Sequence, residues 1–259
     1  MREFLEDALD HRDDGYGRTQ RGLKRQLPKR FYKRATSGAL DDGHAVLLDG
    51  RPTRTPGRAP VRVKQAALAE SMAAEWNAQG EVIDAETMPI VRLVNSAIEG
   101  GAAALPGLKA EILKYAGSDL MCYRTDSPAE LREAQERRWD AILVALSRKY
   151  GVAFETTCSI HHVSQPQPTL AAIRKALEPN NSFSATALTL ITGITGSALL
   201  ALALRDGLVS PDAAWAAAHV DEHHNMRLWG ADSEALKRLD KRRRDFDAGV
   251  AVLGMVGND

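Results

Sequence analysis

Residues 182–206, SFSATALTLITGITGSALLALALRD, decide how the whole chain is read. From Ala185 to Leu204 there is no charged side chain. A helix over this run is long enough to cross the hydrocarbon core of a bilayer. Two features argue for the centre of a globular helical domain instead. Thr186, Thr189, Thr192, Thr195 and Ser197, with Gly193 and Gly196, weaken partitioning into lipid. Ser182 suits a cap and Arg205-Asp206-Gly207 a stop, which is the punctuation of a helix ending in water. A helix apolar on every face belongs at the middle of a helical domain. We therefore expect one buried central helix over about Phe183 to Leu204 and no stable membrane insertion.

The next stretch, Ser210 to Gly230, also has helix signals. Ser210 suits a cap, Pro211 the first turn, Asp212 the positive end of the macrodipole and Gly230 a stop. On one continuous helix Trp215, Glu222 and Trp229, seven residues apart, form a stripe that drifts only about 20° per heptad. Ala218 and Met226 fill the same face. Glu222 is then a carboxylate in a row of Trp, Ala and Met. Such a group needs a cationic partner, a raised pKa or a ligand.

Outward from these helices, the chain divides into three parts. Residues 1–28 are a charged arm, with a short helix around Glu3 to His11. Residues 29–100 contain a small antiparallel sheet. Phe31 and Tyr32 open a strand, Asp41-Asp42-Gly43 turns it, and Asp49-Gly50 is a hairpin signal. Pro52, Pro56 and Pro60 confine later strands to edges. Leu68, Met72 and Trp76 then mark a helix, and Ile90, Leu93, Val94 and Ile98 another, broken by Gly100-Gly101. Residues 101–259 are helical, with Ser127-Pro128-Ala129-Glu130 as a capping box and helices at about Leu170 to Leu177 and Ser233 to Leu253. The fold class expected is α+β, a small β-containing N-terminal domain followed by a multihelical C-terminal one.

The composition excludes several functions. With 259 residues, 44% hydrophobic, 26% charged and net charge +0, the chain is an ordinary globular protein without the basic excess of a nucleic-acid binder. The basic run from Lys237 to Arg244 interleaves with Asp240 and Asp245 and reads as a solvated helix face. Cys122 and Cys158 are distant and form no CxxC, so they read as two buried, reduced thiols. The acidic start, Met1 to Leu9, fits neither a secretory signal nor a transit peptide. No Gly-x-Ser-x-Gly elbow, Walker pattern or dinucleotide fingerprint occurs. His219, His223 and Glu222 lie close on a helix and suggest an alternative, a helical metal-dependent hydrolase. The zinc-helix pattern is absent, however, because Val220 follows His219.

Several pieces together resemble one family, the assembly chaperones specific for the α subunit of F-type ATP synthase. They are Lys29-Arg-Phe-Tyr-Lys33, Leu48-Asp-Gly-Arg-Pro52 with Thr55-Pro56, and Ala74-Glu75-Trp76-Asn77 with Gln79. Met88-Pro89, Arg92-Leu93 and Asn95-Ser-Ala-Ile98 follow, then Asp119-Leu-Met-Cys-Tyr-Arg124, Trp139-Asp140 and Gln165-Pro166. Gly196-Ser-Ala-Leu-Leu-Ala-Leu-Ala203, Asp221-Glu222, Trp229-Gly230 and Asp232-Ser-Glu-Ala235 complete the order. His223-His-Asn-Met-Arg-Leu228 is more basic than the family pattern there. The resemblance implies a non-enzymatic binder of the unassembled α subunit, with no cofactor and no metal. It implies partner-binding roles for Glu222, Asp221, Trp229 and Trp76. Members of that family occur in the mitochondrial matrix and in some bacteria, and the acidic start of this chain suits a bacterial cytoplasmic member.

Overall fold

Turn residues with positive φ organise the first sheet. The computed structural model describes residues 27–159 and 161–257. The expected arm helix around Glu3 to His11 lies outside the described residues. Strand β1 (Ala35–Leu40) pairs antiparallel with β2 (Gly43–Leu48), which pairs antiparallel with the short β3 (Arg51–Pro52), in the order β1-β2-β3. Asp49 (φ 47°) and Gly50 (φ 81°) both take the left-handed conformation that the two-residue hairpin turn requires. Pro52 ends β3 at the sheet edge, as its missing N–H dictates. β1 begins at Ala35 rather than at Phe31. Lys29 instead bridges Val82, and Phe31 stays exposed.

Helix α1 (Ala66–Asn77) closes the sheet by burying Leu68, Ala69, Met72 and Ala73. Asn77 ties it to β1, accepting from Ala35 N (2.9 Å) and donating to Ala35 O (2.7 Å). The Glu75 carboxylate accepts from Ile90 N (2.9 Å) and Val91 N (2.8 Å), capping α2 (Pro89–Ala116). An anion at a helix start satisfies orphan donors and opposes the dipole. The break expected at Gly100-Gly101 is present: Gly101 (φ 50°, ψ −151°) leaves helical geometry and divides α2 into two helical segments across a kink. The chain forms two compact units, one through Gly101 and one from Ala102.

The second unit is helical: α3 (Ala129–Tyr150), α4 (Gln167–Leu177), α5 (Ser182–Thr195), α6 (Ala198–Arg205), α7 (Pro211–Ala218), α8 (Val220–Trp229) and α9 (Ser233–Val256). The expected capping box at α3 does not form: Pro128 is the cap, and no side chain bonds there. The long central helix is two. Gly196 (φ 69°) ends α5, and Ser197 starts α6 by accepting from Leu200 N (2.9 Å). Residues Ala198 to Ala203 are fully buried, so α6 is the core element. Among the described residues no helix is long and apolar enough to cross a membrane. α5 packs on α9 so closely that a Cβ on Gly249 would meet Ile191 Cγ1 at 3.0 Å.

A buried carboxylate holds the start of α6. Asp119 accepts from Ser197 Oγ (2.7 Å), Leu199 N (2.9 Å) and Met121 N (3.1 Å). Complete burial pushes its carboxyl up from the ordinary 3.8 to about 6, against those hydrogen bonds. Nearby, Arg124 pairs with Asp140, donates to Met121 O (2.6 Å) and lies over the Trp139 ring. Trp139 is fully buried and donates from Nε1 to Ala217 O (2.8 Å). Burial and the neighbouring Asp119 push the Cys122 thiol up to about 12, so it is no nucleophile. Cys158, expected to be buried as well, is exposed.

Candidate partner-binding site

The stretch from Ser210 to Gly230 breaks at His219, and the break decides which side chains meet solvent. His219 (φ −113°, ψ 24°) ends α7 and begins α8. Its ring stacks on Trp215 with centroids 3.8 Å apart, and Nδ1 donates to Trp215 O (2.9 Å). That bond satisfies one ring nitrogen, while the buried Nε2 has no hydrogen-bond partner among the described residues. Burial lowers the His219 pKa, with the Trp215 carbonyl and Glu222 opposing, so the ring is neutral. Trp215 is itself buried against Phe246, whose ring lies 5.2 Å away.

The break overturns the continuous stripe. Trp215 faces the core, whereas Trp229 is 78% exposed. Glu222 is not a buried carboxylate: its side chain is 47% exposed and lies 3.6 Å from Arg242 Nη1. Arg242 also donates to Ile194 O (2.6 Å), which anchors it without Glu222. Within α8 the heptad spacing still holds, so Glu222 and Trp229 share one side about 10 Å apart. That side faces water. Leu228 at the end of α8 and Leu236 in the first turn of α9 are also exposed. Neither leucine stands out in sequence, because an apolar residue on a helix reads as core.

Asp221 has a different setting. It accepts from Gln135 Nε2 (2.8 Å), and Gln135 Oε1 accepts from Thr125 N (2.8 Å). Gln135 is buried, so this relay pins the first turn of α8 to α3. Trp76 lies in the other compact unit, on α1. It is half-buried, with the Tyr32 ring edge-on at 5.5 Å and the Tyr32 hydroxyl donating to its carbonyl (2.6 Å). The basic run that reads as a solvated face is split. Arg242 turns inward, and Arg243 binds Asp212 (2.6 Å) and Asp247 (2.8 Å) beside the Trp215 ring.

The metal-hydrolase alternative has no geometry to support it. Among the described residues no group of three His, Cys, Asp or Glu side chains is placed to hold an ion. His219 is turned into the core, its ring centroid 6.5 Å from that of His223, and Glu222 is paired with a cation.

Residues 29–147 match the family of the ATP12 chaperone protein. The chain is similar to the crystal structure of Atp12 from Paracoccus denitrificans at 33% identity and a TM-score of 0.81, covering 88% of this chain and 98% of that one. A mutant of Atp12p from that organism matches over the same shares at 32% identity and a TM-score of 0.81. The Atu1473 protein of Agrobacterium tumefaciens is 38% identical with a TM-score of 0.85, over 98% of this chain and 95% of that one.

Proposed function

The chain belongs to the ATP12 family of ATP synthase assembly chaperones, and from that premise we propose that its client is the unassembled α subunit. The protein acts as a non-enzymatic binding module in the bacterial cytoplasm, needing no cofactor. It holds the free α subunit until a β subunit takes its place.

The observation that carries this reading is the solvent-facing side of α8. A tryptophan 78% exposed at a helix end buries little of its indole in the isolated fold, and Leu228 and Leu236 are exposed as well. Large aromatic side chains in such positions are the usual anchors of protein interfaces. Glu222 sits two turns away with only a long, half-exposed ion pair, so its carboxylate is available to a partner cation. Asp221 orients this helix through Gln135. Trp76 contributes a second, separate contact from the first unit. A chaperone of this kind works by mass action: it masks an apolar surface of the client, and the client leaves when a tighter partner competes.

Co-purification tests the assignment. Tagged protein is mixed with isolated α subunit and, separately, with assembled ATP synthase. Retention of the isolated subunit alone is expected. Retention of both, or of neither, would overturn the client assignment.

A further inference from the structure

We infer that the groove between α3 and the α7–α8 pair is a docking cleft for an acidic segment of a protein partner, one carrying apolar side chains between its carboxylates. The cleft has two contiguous stretches, because Arg137 and Arg138 line both. One stretch runs between Glu130, Ala134 and the α8 side chains Val220, His223, His224 and Arg227. The other runs between Ala141, Ile142 and the approach to α7 at Leu208, Val209, Ser210 and Ala213. From Glu130 to Ile142 the α3 wall is about 18 Å long. That length accommodates about five residues of extended chain.

The charge along the cleft selects the occupant. Three arginines, Arg137, Arg138 and Arg227, line the cleft with a single carboxylate, Glu130. Glu130 is already taken by Arg227 (2.7 Å), and Arg137 has Glu133 outside the cleft (3.5 Å). Arg138 is exposed and has no ion-pair partner among the described residues. It sits where the two stretches meet, so a carboxylate on the occupant finds an uncommitted guanidinium at mid-cleft. Ile142, Val209 and Val220 supply apolar lining between the cations. Nucleic acid fits less well, since no aromatic side chain lines the cleft for bases to stack on. The cleft lies apart from Glu222 and Trp229, neither of which lines it.

The test uses the full chain and two labelled decapeptides, one alternating Glu with Leu and Val, the other with every Glu replaced by Gln. The acidic peptide is expected to bind, about tenfold more weakly to Arg138→Glu and more weakly as salt rises. Arg148→Glu, an exposed change on α3 outside the cleft, is expected to leave binding unchanged. Melting temperatures of both variants check that they fold. No binding of the acidic peptide, equal binding of the two peptides, or indifference to Arg138→Glu would each overturn the inference. A single-stranded oligonucleotide bound more tightly than the acidic peptide would overturn it in favour of nucleic acid. None of these results depends on which protein is the chaperone's client.

Discussion

Replacing Asp119 by Ala isolates the one buried carboxylate that sets the core helix. The change orphans three donors: Ser197 Oγ, Leu199 N and Met121 N. At about 2 kcal/mol for each buried unsatisfied donor, the loss is about 6 kcal/mol. Against this, the wild type carries a charge in a fully buried site. Raising the carboxyl from 3.8 to about 6 corresponds to about 3 kcal/mol that the variant no longer bears. The net destabilisation is about 3 kcal/mol, or a fall in melting temperature of about 6–12 °C for a chain of this size. The pH dependence gives a second reading. Folded Asp119 takes up a proton below about 6, whereas the unfolded chain does so only near 3.8. The folded state therefore binds more protons in that window, and the wild type gains stability as pH falls. Denaturant titrations at pH 7 and pH 5 should show the gap between wild type and Asp119→Ala widening by about 1 kcal/mol. A variant melting within about 2 °C of wild type would refute the anchoring role. A gap that narrows on acidification would refute the dominance of burial over the hydrogen bonds.

Three further outcomes follow from the packing. Glu222→Gln should melt within about 2 °C of wild type, because an exposed pair at 3.6 Å contributes under about 1 kcal/mol; a large fall in a thermal melt would make Glu222 structural. Trp139→Phe should lose about 2 kcal/mol by urea titration, since it leaves the Ala217 carbonyl without its indole donor; an unchanged midpoint would contradict this. His219 is neutral when folded with its pKa lowered below 6.5, so the unfolded chain binds the extra proton and stability falls as pH drops through and below 6.5. His219→Asn should lose that part of the acid sensitivity, read as a shallower slope of stability against pH.

Much of this architecture is legible from the sequence, and the two misread helices share a cause. Asp49-Gly50 announces its hairpin because few residues tolerate two successive positive φ values. The burial of residues 198–203 is visible in their lack of polar side chains. Periodicity misleads where a helix bends between one turn and the next. At Gly196 and at His219 the apolar pattern continues across the break, so a helical wheel reports one element where there are two. The second error moves Trp229 from the expected core to the surface, and Glu222 with it. The continuous stripe implies a burial that Glu222 does not have. Its heptad relation to Trp229 survives because both lie within α8. The Asp119 anchor is illegible for another reason: its partners at 197 and 199 are distant in sequence, and no local pattern joins them.

The claim that the water-facing side of α8 receives the client is tested most directly by titrating isolated α subunit against wild type and Trp229→Ala. The indole is exposed, so the substitution should leave the melting temperature unchanged. Removing an aromatic anchor costs about 2 kcal/mol or more, so affinity should fall by about thirtyfold or more. A Trp229→Ala protein that melts normally and binds the α subunit as tightly as wild type would contradict the account.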